Sequence, residues 1–160
     1  MKTEELRIIG MKWLARREHS IHEFREKFLK KFPDQTESIE EIIQEFCEKN
    51  WLSDERFSEA FIHDQVLLVS AGPYKILQKL RQKGIEEMLA KQMLQKHFSL
   101  SEQLEKGRVL AQRKQQDIRA RKKDLTDIEV RQKIYQFLLQ KGFESDIIKK
   151  VLDQGNQILS

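Results

Sequence analysis

Apolar residues recur at three- and four-residue spacing along nearly the whole chain, the signature of amphipathic helices. Ile21, Phe24 and Phe28 line one such face, and Ile42, Ile43, Phe46 and Cys47 line the next. Helix starts are well marked. Ser20–Glu23, Ser38–Glu41, Ser99–Glu102 and Thr126–Glu129 fit the capping box, in which a hydroxyl and an acidic side chain each satisfy an orphan backbone N–H. Ser53 followed by Asp54 and Glu55 offers an N-cap with two negative charges at the positive end of the dipole. Pro73 suits a first helical turn. Gly84 and Gly142, each after a lysine, suit left-handed helix ends. Together these signals predict helices over roughly 3–17, 20–32, 37–49, 53–69, 73–83, 86–97, 100–122, 127–141 and 144–154.

The pattern repeats. Ile85, Leu89, Ala90, Met93 and Leu94 follow Gly84 at the same offsets at which Phe143, Ile147, Ile148, Val151 and Leu152 follow Gly142. Upstream, Ile76, Leu77 and Leu80 match Ile134, Tyr135 and Leu138. The N-terminal third is a looser copy, with its turn lengthened by Phe32–Ser38. This predicts an all-α protein of three tandem three-helix repeats, over residues 1–51, 52–98 and 99–160. No unit is large enough to bury its own core, and stacking would complete the burial.

Composition agrees. Of 160 residues, 39% are hydrophobic and 35% charged, against roughly 45–50% and a quarter in ordinary globular chains, so small cores with much solvated surface are expected. Only 8 residues are Val or Thr, few for a strand-built protein. One cysteine excludes a disulfide framework and a cysteine-based zinc cluster. No apolar run is long enough to span a bilayer. The first residues carry two glutamates and no continuous apolar core, unlike a secretory signal, so the chain reads as cytoplasmic.

The net charge of +4 is unevenly spread: residues 106–123 hold eight cations against Asp117 alone. Such a concentration attracts phosphate backbones or an acidic protein face. Within it, Arg113, Lys114, Arg119, Arg121, Lys122 and Lys123 are candidate contacts, although they do not share one helical face. From Gln112 to Asp124 only Ile118 and Ala120 are apolar, so this stretch is expected to pack least well. Lys106 and Arg113 are expected to point away from the apolar stripe. A second set closes the middle helix of each unit: Lys27, Lys30 and Lys31, then Lys79, Arg81 and Lys83, then Lys141. Two readings stay open for it, contact with a repeating anionic partner or compensation of the helix dipole, worth about 0.3–1 kcal/mol. Arg16 and Arg17, at the end of the first helix, could grip phosphate or carboxylate bidentately, or pair with Glu18 and Glu23. Arg56 is placed to pair across a repeat junction. His19 and His22 lack a third metal ligand nearby, and no phosphate loop, serine elbow or catalytic constellation is present. The expectation is a non-enzyme without cofactor or metal.

Several of these segments resemble the RecX family. Leu14–Phe24 looks like its first-repeat motif, and Trp51–Ile62 like its second-repeat opening. Gly72–Ile85 is similar to the helix and turn that follow, and Phe137–Ile148 to the C-terminal repeat. Ser53, Ser70–Ala71 and Gln140 depart from the usual pattern. The resemblance implies an elongated, curved helical array. It implies a regulator that binds the recombinase RecA and RecA filaments on single-stranded DNA, limiting filament growth or favouring disassembly. Strand exchange, DNA-dependent ATP hydrolysis and co-protease activity in the SOS response would then fall. It further implies a monomer with weak binding to DNA, single- or double-stranded, and no membrane contact. Direct DNA binding and a helical adaptor for another partner are the alternatives.

Overall fold

The computed structural model describes residues 2–158, with side chains through Gly155. Among them are nine α-helices and no strand. They are α1 (Thr3–Leu14), α2 (Ile21–Lys31), α3 (Thr36–Glu48), α4 (Asp54–Leu68), α5 (Pro73–Gln82), α6 (Glu87–His97), α7 (Leu100–Arg121), α8 (Asp127–Lys141) and α9 (Ser145–Ile158).

The chemistry of the helix starts explains most of these boundaries. Ser99 with Glu102 and Thr126 with Glu129 form reciprocal capping boxes, each with bonds of 2.8 and 3.2 Å. Ser53 Oγ accepts from the Arg56 amide at 3.2 Å. Ser20 Oγ accepts from the Glu23 amide at 3.0 Å, but the Glu23 carboxylate is used elsewhere, so that box is half made. Ser38 does not cap. α3 already begins at Thr36, and the Ser38 hydroxyl instead accepts from Thr3 Oγ1 at 3.3 Å. α1 stops at Leu14, before the expected residue 17, where the Arg16 amide makes a tight bond to the Trp13 carbonyl, only three residues back, at 3.1 Å.

The chain packs as two compact units, one of residues 1–61 with 79–93 and the other of residues 62–78 with 94–160. In the first, α1 and α2 both lie against α3 over a core of Leu6, Phe24, Phe28, Ile39, Ile42 and Phe46. Each such fully buried side chain contributes about 1.5–3 kcal/mol. Gly10 lets α1 meet the Phe24 and Phe46 rings, where a Cβ would stand 3.0 Å from both. Cys47, expected in the buried stripe, is half-buried at its edge. In the second unit, α7 packs on α8 and α9 over Leu110, Ile118, Val130, Ile134, Leu138 and Phe143, among others.

The two repeated glycines perform one task. Gly84 (φ +77°) and Gly142 (φ +94°) both sit in the left-handed region. At the first, the Lys83 carbonyl accepts from Ser20 Oγ at 2.6 Å, so the end of α5 meets the start of α2. At the second, the Lys141 carbonyl accepts from the Gly72 amide at 2.7 Å and the Gly142 carbonyl from the Tyr74 amide at 2.9 Å. Here the end of α8 meets the start of α5. Each junction joins the orphan carbonyls of one helix to the N-terminal donors of another.

Candidate partner-binding surface

Most of the cations picked out by sequence are engaged within the chain. In the first unit, Glu23 is the hub. Its carboxylate takes Arg17 Nη1 at 2.9 Å, Arg17 Nη2 at 3.2 Å and Lys83 Nζ at 3.1 Å. Burial alone would raise the Glu23 pKa, but these donors and their charges bring it down to about 2. Lys27 Nζ stands 4.2 Å from the centroid of the Trp13 ring, a cation–π geometry. Burial and the positive field of Arg17, Arg16 and Lys31 hold its pKa below the usual lysine range. Lys31 lies over Phe32 at 5.5 Å, while Lys30 and Arg16 are exposed. Arg81 pairs with Glu87, and Lys79 is half-buried on α5.

His19 is buried, with Nδ1 3.0 Å from the Arg17 carbonyl, which removes it from any metal pair with the exposed His22. Burial and Arg17 hold its pKa down. Arg56 does what its position suggested: Nε pairs with Glu18 at 3.0 Å, and its Nη groups close the Asn50 and Trp51 carbonyls at 2.8 and 3.1 Å.

In the second unit, α7 continues unbroken through the polar stretch to Arg121. Lys106 does not point into solvent. Its ammonium donates to the Gln65, Val66 and Val69 carbonyls at 3.1, 3.0 and 2.7 Å and so caps the end of α4. Arg119 donates to the Leu125 carbonyl at 2.9 Å and pairs with Asp127, which closes the α7–α8 turn. Arg121 pairs with Asp117 at 3.2 Å. Arg113, Lys122 and Lys123 are exposed.

Two candidates from distant parts of the sequence meet here. Lys114 and Lys141 both address the Phe137 ring, at 5.0 and 5.4 Å from its centroid. Phe137 lies in a surface cleft of about 570 Å³ between α7 and α8, which Lys114, Arg121 and Lys122 also line. Lys133 and the glutamines at 132, 136 and 140 complete it. Sequence reasoning missed Lys133 and the glutamines; their i, i+4, i+8 spacing on α8 was the available signal.

This helical architecture has relatives. A family model described as the second three-helix domain of RecX matches residues 53–94, and one described as the third matches residues 101–152. A regulatory protein RecX from Haemophilus ducreyi is 33% identical over 145 residues, covering 88% of this chain and 85% of that protein. The chain belongs to the RecX family. A regulatory protein RecX from Lactococcus lactis is 32% identical over 120 residues, which are 75% of this chain but 43% of the relative, so the chain spans less than half of that RecX protein. The crystal structure of RecX from Lactobacillus salivarius superposes with a TM-score of 0.83, covering 95% of both chains at 24% identity, and shares the RecX fold. No helix among the described residues is long and apolar enough to cross a membrane.

Proposed function

We propose that this chain is a non-enzymatic, cytoplasmic regulator that binds RecA filaments on single-stranded DNA and lowers recombinase activity. The observation that carries the proposal is membership of the RecX regulatory family, with two of its three-helix domains matched in order. The repeats are taken as residues 1–51, 52–98 and 99–160, acting as a monomer. Binding that favours a free or disassembling recombinase state over the growing filament would shift the equilibrium by the difference in affinity between the two. Contact falls to cations that make no ion pair among the described residues, the exposed Arg16, Lys30, Arg113, Lys122 and Lys123 foremost, with the ring-bound Lys27, Lys31, Lys114 and Lys141 beside them.

The test is titration of the purified chain into RecA on excess single-stranded DNA, followed by ATP hydrolysis. Inhibition at a small fraction of the RecA concentration supports regulation at filament ends. Inhibition near one-to-one supports coating of the filament. ATP hydrolysis unchanged at equimolar chain, with active RecA, refutes the proposal.

A further inference from the structure

We infer that Glu59 and His63 of α4, with His97 at the end of α6, form a binding site for a zinc ion. The inference goes beyond the regulatory reading above and does not depend on it. Of the four histidines in the chain, His19 is buried away from the exposed His22, whereas His63 and His97 come together from two helices. Glu59 and His63 are one helical turn apart, so α4 presents both side chains on one face. His97 is the last residue of α6, and its ring meets that of His63 at 5.5 Å between centroids and 75° between planes. One ligand atom from each of the three residues lies within 4.8 Å of those of the other two.

The spacing suits a small ion. With Zn–N bonds of about 2.0–2.1 Å, neighbouring donors of a tetrahedral site stand about 3.3 Å apart. Closing from 4.8 Å takes about 1.5 Å at most, a distance that side-chain rotation covers, since Glu59 and His63 are exposed on α4. The donor types select the metal. Two imidazoles and one carboxylate suit zinc, whereas calcium and magnesium are held by oxygen. Three protein donors leave the fourth position, on the exposed side, to water. The bound ion joins α4 to the end of α6, just before Ser99 opens α7. Both imidazoles must be neutral to bind, so affinity falls in acid.

The experiment is titration of zinc into the whole chain, untagged and stripped with EDTA, in competition with a chromogenic chelator at pH 7. One zinc per chain is expected, with micromolar or tighter affinity, and excess magnesium should not displace it. His63→Gln and Glu59→Gln change exposed side chains and should each weaken binding about tenfold or more. His22→Gln removes an exposed histidine outside the cluster and should leave binding unchanged. Zinc should also raise the melting temperature of the native chain and leave that of His63→Gln in place. Circular dichroism without metal verifies folding of each variant.

Zinc affinity unchanged in the folded His63→Gln and Glu59→Gln variants overturns the site. So does a native chain that takes up no zinc at micromolar concentrations, or one from which magnesium displaces zinc as readily as zinc itself. Binding that weakens in both variants, while His22→Gln binds as the native chain does, sustains it.

Discussion

Replacing Glu23 by Gln isolates the charge at the hub of the first unit. Gln keeps the size of the side chain and the backbone donor that Ser20 caps. It removes the carboxylate shared by Arg17 and Lys83. The shift of the Glu23 pKa from 4.5 to about 2 sets an upper bound of ~3 kcal/mol on what ionisation adds to stability. The side chain is 19% exposed, whereas Arg17 and Lys83 are 53% and 41% exposed and regain water when released. That hydration lowers the expected loss to about 1–2 kcal/mol at pH 7, a fall in melting temperature of ~2–8 °C. The sign follows from the depressed pKa. Stabilisation by the carboxylate is complete above about pH 4.5 and disappears as pH falls through about 2. Urea unfolding of both proteins at pH 7, 4 and 2 should therefore show a gap that closes with acid. Equal midpoints at pH 7, or a gap as wide at pH 2, would refute the reasoning.

Two glycines should respond with opposite signs to alanine. Gly142→Ala puts a Cβ 2.7 Å from the Lys75 backbone nitrogen at φ +94° and should cost about 2 kcal/mol or more in urea unfolding. Gly155→Ala, with nothing within 4 Å inside α9, should gain roughly 0.5–1 kcal/mol. Lys106→Met should uncap α4, costing about 1–2 kcal/mol and speeding amide exchange at residues 65–70. Exchange over Gln112–Arg121 should outpace that over Ile147–Leu152, because Ile118 is the one buried side chain in the former, against four in the latter.

Helix positions were legible because spacing, hydroxyl–acid pairs and the two Lys-Gly ends agreed with one another. The failures share a cause. Ser38 has the right partner three residues on, yet α3 starts at Thr36 because Gln35 already supplies the first helical carbonyl, to the Ile39 amide. Local pattern offers two starts there, and tertiary contact with Thr3 accompanies the one adopted. The cations were harder. Lysine at a helix end looks alike in sequence whether it meets solvent, a carboxylate 60 residues away as Lys83 does, or a ring as Lys27 does. Lys106 lies opposite the apolar stripe, and only the return of α4 reveals its three carbonyls. Glu23 could be read as a capping residue but not as a hub, since Lys83 joins it through folding alone.

At both glycine turns, the lysine that precedes the glycine enters the junction through its main-chain carbonyl, which meets the Ser20 hydroxyl at one and the Gly72 amide at the other. Lys83 and Lys141 supply carbonyls to the joint, while their ammonium groups lie apart, one on Glu23 and one against Phe137. The carbonyl and the ammonium of one residue thus do separate work. At Lys141 the side chain can change without touching the hydrogen bonds of the joint, whereas Lys83 also holds Glu23, and the glycine beside each lysine has no such latitude. Relatives should accordingly vary in charge more freely at the position of Lys141 than at that of Lys83, while holding the same bend.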